Sequence, residues 1–196
     1  MTDLLGALAA IATLASAVAL VYVHTRPTGY DPVRDAVSDY GVGRYRVWYS
    51  AAAITLGVAG ILLASSIAAS VRPEPVFLVA LLVVFGIARI AIVRFPVDLD
   101  RRPASRTGRI HFLLAGIAFV AIAFAAATLP RVVVGNPGWA DVEGLLRTTG
   151  WLVVVTAVAA GLGLRVATLR PVFGLLERLL YASMLTWFMA VSLHIA

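Results

Sequence analysis

Six apolar runs follow one another along the chain, at about 4–24, 47–69, 76–95, 110–129, 148–168 and 173–195. Each holds roughly 20 residues, enough to cross a hydrocarbon core of about 30 Å at a helical rise of about 1.5 Å per residue. Lipid offers no hydrogen bonds to a backbone, so an open segment at that depth satisfies its own N–H and C=O groups only as a helix. The expected fold class is therefore all-α, an integral membrane six-helix transmembrane bundle, with residues 1–196 as a single domain. Composition agrees. The chain is 61% hydrophobic and 13% charged, against about 25% charged in soluble domains. A soluble enzyme, a disordered chain and a disulfide scaffold are excluded.

Prolines punctuate the runs. Pro27 and Pro32 follow the first, Pro73 and Pro75 separate the second from the third, Pro96 closes the third, Pro130 is expected to close the fourth, and Pro171 lies between the last two. Asp3 stands where a cleaved leader would carry positive charge, so the first run is read as a retained helix.

All 16 basic residues are arginine, with no lysine and no cysteine. The bias is that of a GC-rich, bacterial genome. Disulfides, thiolate metal sites, thiol nucleophiles and Schiff-base lysines are excluded. The first, third and fifth loops and their flanks hold Arg26, Arg34, Arg44, Arg46, Arg94, Arg101, Arg102, Arg106, Arg109, Arg165, Arg170 and Arg178, whereas the other face holds Arg72, Arg131 and Arg147. The positive-inside rule then places the odd loops in the cytoplasm and both termini outside, in the cell membrane. Trp139 and Trp151 are expected at the outer interface, Trp48 and Tyr49 at the inner one. The positive charge is topological, and nucleic acid is not an expected partner.

The informative residues are the polar ones near the arginine-rich face. Arg89 lies roughly 9 Å inside the third run. Arg94 and Asp98 mark its end, His111 opens the fourth, and Glu177 lies in the first turns of the sixth. Asp35, Ser38 and Asp39 precede the second run, His24 ends the first, and His194 is alone at the opposite face. Two readings stand side by side. In one, Arg89 snorkels, Asp98 and Glu177 pair with neighbouring arginines, and Ser38-Asp39 caps the second helix. In the other, these groups line a cavity. Asp98, His111 and Glu177 are then candidate catalytic acids and bases, and Arg89, Arg94, Ser38, Asp39 and Asp35 candidate substrate-binding residues. No metal site is expected from three histidines without paired spacing, and no cofactor; a haem between His24 and His111 has nothing but equal depth in its favour.

The string Asp35-Ala-Val-Ser38-Asp39-Tyr-Gly41 before the second run, Phe95-Pro96-Val-Asp98 after the third, and His111 opening the fourth together resemble a prokaryotic family of six-span membrane proteins of unknown function. That family is in turn distantly similar to the DRAM, Frag and Sfk membrane proteins, which share an Ile-Ser-Asp-x-Gly-like string, with Val37 here in place of the isoleucine. The resemblance implies that Ser38, Asp39, Gly41, Pro96, Asp98 and His111 are family-typical, and it carries no activity. The eukaryotic proteins are linked to lipid-anchor remodelling and membrane stress, and are drawn with the Ser-Asp loop on the lumenal side, opposite to the arginine count.

The leading expectation is a membrane protein that binds or modifies a lipid or isoprenoid near the cytoplasmic leaflet by metal-independent acid–base chemistry, terpenoid cyclisation included. The expected partner is a membrane lipid or amphiphilic small molecule, and a homo-oligomer is admitted. The alternatives are a small proton-coupled transporter and a non-catalytic structural or regulatory subunit.

Overall fold

The computed structural model describes residues 2–99 and 105–196; Arg101 and Arg102, counted above for orientation, lie outside them. Six long helices form: α1 (Thr2–His24), α2 (Arg46–Ser70), α3 (Val76–Ala91, continued by a 3-10 turn over Ile92–Arg94), α4 (Arg106–Val133), α5 (Glu143–Arg165) and α6 (Phe173–Ile195). All six stretches are long and apolar enough to cross a membrane, and the chain is a multi-pass membrane protein. Each helix packs on its neighbours in sequence and α1 packs on α6, which closes a ring; α2 also touches α6 across it. The three arginine-rich loops share one end of this ring.

The helices meet closely where glycine faces glycine. A Cβ on Gly57 of α2 would stand 2.7 Å from the carbonyl oxygen of Gly86 on α3, and one on Gly86 equally close to that of Gly57. In lipid, helix association depends on such close van der Waals packing and on interhelical hydrogen bonds rather than on exclusion of water. Ser16 of α1 donates to the Ala52 carbonyl of α2 at 2.9 Å, and the Thr156 and Ser183 hydroxyls join α5 to α6 at 2.8 Å.

Several expectations are corrected. Pro130 does not close α4, which runs three residues further to Val133. Proline has no N–H to give the carbonyl four residues back, here that of Ala126. Gly150 of α5 fills the space beside it: a Cβ there would stand 2.5 Å from the Ala126 oxygen. The helix continues past the proline with the Gly150 backbone of α5 packed against the freed carbonyl. Tyr49 is buried inside the bundle rather than placed in an interfacial belt, and Trp139 is buried against His194, ring centroids 4.4 Å apart. Trp48 and Trp151 are exposed on the outside. Ser38 and Asp39 do not cap α2, whose N-cap is Tyr45 without a side-chain bond.

Candidate functional site

The loop between α1 and α2 folds back beneath the start of α6. Asp31 and Asp35 close its first turn, the Asp31 N–H donating to the Asp35 carboxylate at 2.8 Å and the Asp35 N–H to the Asp31 carbonyl at 2.7 Å. The carboxylate of Asp31 accepts the N–H groups of Val33 and Arg34, which holds it below its ordinary range. Next comes a 3-10 turn, Val37–Gly41, in which the buried Asp39 accepts the Ala36 N–H at 2.9 Å. Gly41 packs against the Tyr49 ring, where a Cβ would stand 2.9 Å from its nearest ring carbon. The Ser-Asp-x-Gly string thus makes a turn and then sets the position of a tyrosine in α2.

Two residues of α6 fasten this loop. The Glu177 carboxylate accepts the Val37 N–H at 2.7 Å. Arg178 points the other way and donates to His24 Nε2, the Asp35 carbonyl and the Tyr40 hydroxyl at 2.7–2.9 Å. Gly174 sits against the Asp35 carbonyl so closely that any Cβ would collide with it. Both ring nitrogens of His24 are engaged, Nδ1 by the Leu20 carbonyl and Nε2 by Arg178. Among the described residues no group of three or more His, Asp or Glu is placed to hold a metal.

A second fastening joins α3 to α4. Asp98 accepts the Ser105 N–H at 3.0 Å and its hydroxyl at 2.8 Å, while Ser105 accepts the Gly108 N–H as the N-cap of α4. Gly108 leaves room for the Asp98 carboxylate, which any Cβ there would strike. His111, one turn further into α4, bonds through Nδ1 to the Phe95 carbonyl at 2.7 Å. A carbonyl only accepts, so the proton is on Nδ1 and Nε2 of the neutral ring is an acceptor.

Between these fastenings lies a cavity of about 720 Å³, within the usual range for small-molecule sites. Its polar end is built by Ser38 and Asp39 of the 3-10 turn, Tyr49 of α2, Arg89 of α3, His111 of α4, and Glu177 and Tyr181 of α6. From there it runs along α4 to Ala127, sixteen residues or roughly 24 Å. Apolar residues of α4 and α5 line that length, among them Phe119, Ala157 and Leu164. Val120, Phe124 and Val158 line it too and are more than half exposed, so the cavity opens sideways between α4 and α5.

Arg89 does not snorkel. It is 1% exposed, with its guanidinium carbon 5.2 Å from the Tyr181 ring centroid, and Tyr49 and Glu177 are its other polar neighbours. Its guanidinium and the buried Tyr49 and Tyr181 hydroxyls lie against one another at this end of the cavity. The structure therefore brings Ser38, Asp39, Arg89, His111 and Glu177 to one place. Asp98, Arg94 and Asp35 are elsewhere: Asp98 at the α4 cap, Arg94 exposed in the 3-10 turn after α3, Asp35 in the loop turn. Tyr49 and Tyr181 belong to the site without having stood out in the sequence. The one available signal was the spacing of Tyr181 four residues after Glu177, which puts both on one face of α6.

A protein-family model described as a protein of unknown function, DUF998, matches residues 10–194. No curated protein and no solved structure matches the chain, so the similarity to the DRAM, Frag and Sfk proteins is not confirmed by these comparisons.

Proposed function

We propose that this chain, which belongs to the DUF998 family, binds an amphiphilic lipid or isoprenoid in the cavity between α4 and α5. One observation carries the reading: a cavity of about 720 Å³ that is polar at one end, apolar along its length and open through the side of the bundle. An opening between two exposed helix faces admits a ligand from the bilayer, and the long apolar portion suits a hydrocarbon tail. The polar end holds the headgroup near the arginine-rich face.

Gly161 provides the test. It lines the cavity, and a Cβ there would meet nothing within 4 Å. Gly161→Leu adds a side chain on the cavity wall at a position where the Cβ meets no neighbour, and removes a helix glycine that costs up to about 1 kcal/mol. The expected result is unchanged or slightly raised thermal stability, together with loss of co-purifying lipid in native mass spectrometry. Retention of the same lipid by the filled variant would refute the reading.

A second reading adds chemistry to binding. It is favoured by the placement of Glu177 and His111 on one cavity beside Arg89, a proton donor and acceptor next to a polarising cation. On that reading His111→Ala and Glu177→Gln each lower turnover of the bound lipid at least 100-fold, measured by product analysis, while the lipid still binds. Full turnover in both variants removes it. Transport is disfavoured by the opposite half of the bundle, whose interior Trp187, Phe188 and Val191 fill as fully buried side chains.

A further inference from the structure

A second, smaller cleft lies at the end opposite the arginine-rich loops, where α4 finishes and α5 begins. Its volume is about 300 Å³. The floor is made of small residues, Ala126, Ala127 and Pro130, and the walls carry Arg131, Arg147 and Trp151. Among the described residues, the arginines of this end are Arg72, Arg131 and Arg147. Two of these three share one cleft although they stand on different helices.

Helix direction sets how the two arginines reach it. A helical side chain leans towards the N-terminus of its own helix. α4 runs towards this end of the bundle and α5 runs away from it, so Arg131 leans inwards and Arg147 outwards. Arg131 accordingly donates to the Ala127 carbonyl, one turn back along α4 and on the cleft floor. That partner brings no charge, and the guanidinium is turned away from the water that an arginine at a membrane edge normally reaches by snorkelling. Arg147 gives one nitrogen to Glu143, in an exposed pair of the kind that is weak. Asp141 and Glu143 precede the cleft in the chain and are not among the residues that line it. A guanidinium has five donors, so each arginine can bond a ligand while keeping the contact it has. Guanidinium groups are the side chains best matched to phosphate oxygens.

The surroundings indicate where a phosphate would come from. Trp151, 55% exposed, puts an amphipathic ring beside the arginines, as is usual at headgroup level. Ala127 is shared with the larger cavity, and beyond it Phe124 and Val158 flank the lateral opening between α4 and α5, each more than half exposed. A phosphate in the cleft thus stands at the head of an apolar track that leads towards the bilayer midplane. A free anion would use neither the ring nor the track.

We propose that this cleft binds a glycerophospholipid from the leaflet at the terminal end, with its phosphodiester between Arg131 and Arg147, its glycerol beside Trp151 and an acyl chain along Phe124. The site is separate from the cavity at the arginine-rich end and does not depend on what that cavity holds.

The experiment titrates the full chain in detergent with phosphatidylglycerol and with diacylglycerol of the same acyl chains, read by native mass spectrometry. Arg131→Gln/Arg147→Gln is expected to weaken phosphatidylglycerol binding about tenfold, the scale of a lost charge-assisted contact, and to leave diacylglycerol binding unchanged. Arg72→Gln, at the same end but off the cleft, is expected to change neither, and so is Gly161→Leu in the larger cavity. Undiminished phosphatidylglycerol binding by the double variant overturns the proposal. An equal loss in Arg72→Gln also overturns it, since general surface charge would then be the cause, and an equal loss in Gly161→Leu moves the lipid to the other cavity. Glycerophosphoglycerol, the same headgroup without tails, is expected not to displace the lipid at equal concentration; displacement would make a soluble anion the occupant and overturn the lipid assignment. Both arginines are exposed, and if the double variant does not fold, the same outcomes are read on Arg131→Gln alone, which keeps the Arg147 pair with Glu143.

Discussion

The two ends of the bundle are built from the same alphabet and used differently. At the end carrying both termini, the interior is filled: Leu82, Phe85, Met184, Trp187 and Phe188 are fully buried, and Phe85 and Phe188 stack with ring centroids 5.3 Å apart. At the arginine-rich end, the interior is left partly empty, and buried charged or polar groups face the gap. A buried arginine beside two acids is costly in a low-dielectric interior. A bundle made only to be stable would fill that end too, and one half of this molecule shows that the sequence has the means to do so. The contrast is the reason for placing the proposed site at the arginine-rich end.

The largest expected effect tests the contrast directly. Trp187→Ala removes a fully buried side chain from the filled end and should cost about 3 kcal/mol, the lower part of the range for such truncations, because displaced surface meets lipid rather than water. Phe112→Ala, on the cavity wall at the arginine-rich end and half-buried, should cost less, about 1 kcal/mol. Thermal unfolding in detergent measures both. Equal losses would mean that the two halves are packed alike.

A smaller effect separates the acids. Asp98 holds the cap of α4 by way of Ser105 and is not among the residues that line the cavity. Asp98→Ala should lower stability by about 1 kcal/mol, the usual worth of a cap, and leave lipid occupancy unchanged. Loss of bound lipid at full stability would move Asp98 back into the site and redraw the functional end of the comparison.

The six helices were legible because span length and backbone satisfaction leave a membrane chain almost no alternative. Pro130 departs from the rule that proline ends a helix: α4 runs on to Val133, with Gly150 of α5 packed against the Ala126 carbonyl that the proline frees, a contact only the packed structure shows. The site was legible where the residue type is costly in lipid, as with Arg89, Glu177 and His111. It was not legible for Tyr49 and Tyr181, since tyrosine is ordinary at a membrane edge and only packing shows whether the ring faces lipid or an arginine. Asp98 and Asp35 are at the same depth as the site residues, and sequence fixes depth far better than the direction in which a loop carboxylate turns.

The smallest effect lies in the loop that roofs the cavity. Asp31 is held below its ordinary range chiefly by the Val33 and Arg34 N–H groups, with Arg34 itself 3.9 Å away. A carboxyl depressed in the folded state contributes stability above its unfolded pKa of about 3.9 and loses it as pH falls through the lower folded value. Wild type should therefore lose this contribution below about pH 4, whereas Asp31→Asn should lack it at neutral pH and show a correspondingly flatter acid limb. Because Asp31 is exposed, the difference should be small and confined to local opening of the loop, read by hydrogen exchange at Val33 and Arg34. The backbone bond from Leu175 to the Val33 carbonyl and the Arg178 bond to Asp35 tie that loop to α6. If exchange at Val37 rises together with that at Val33, the roof opens as one unit and the cavity has a second way in from the aqueous side. If only Val33 and Arg34 respond, the Glu177 bond to Val37 holds the inner half of the loop closed and leaves the gap between α4 and α5 as the route for the ligand.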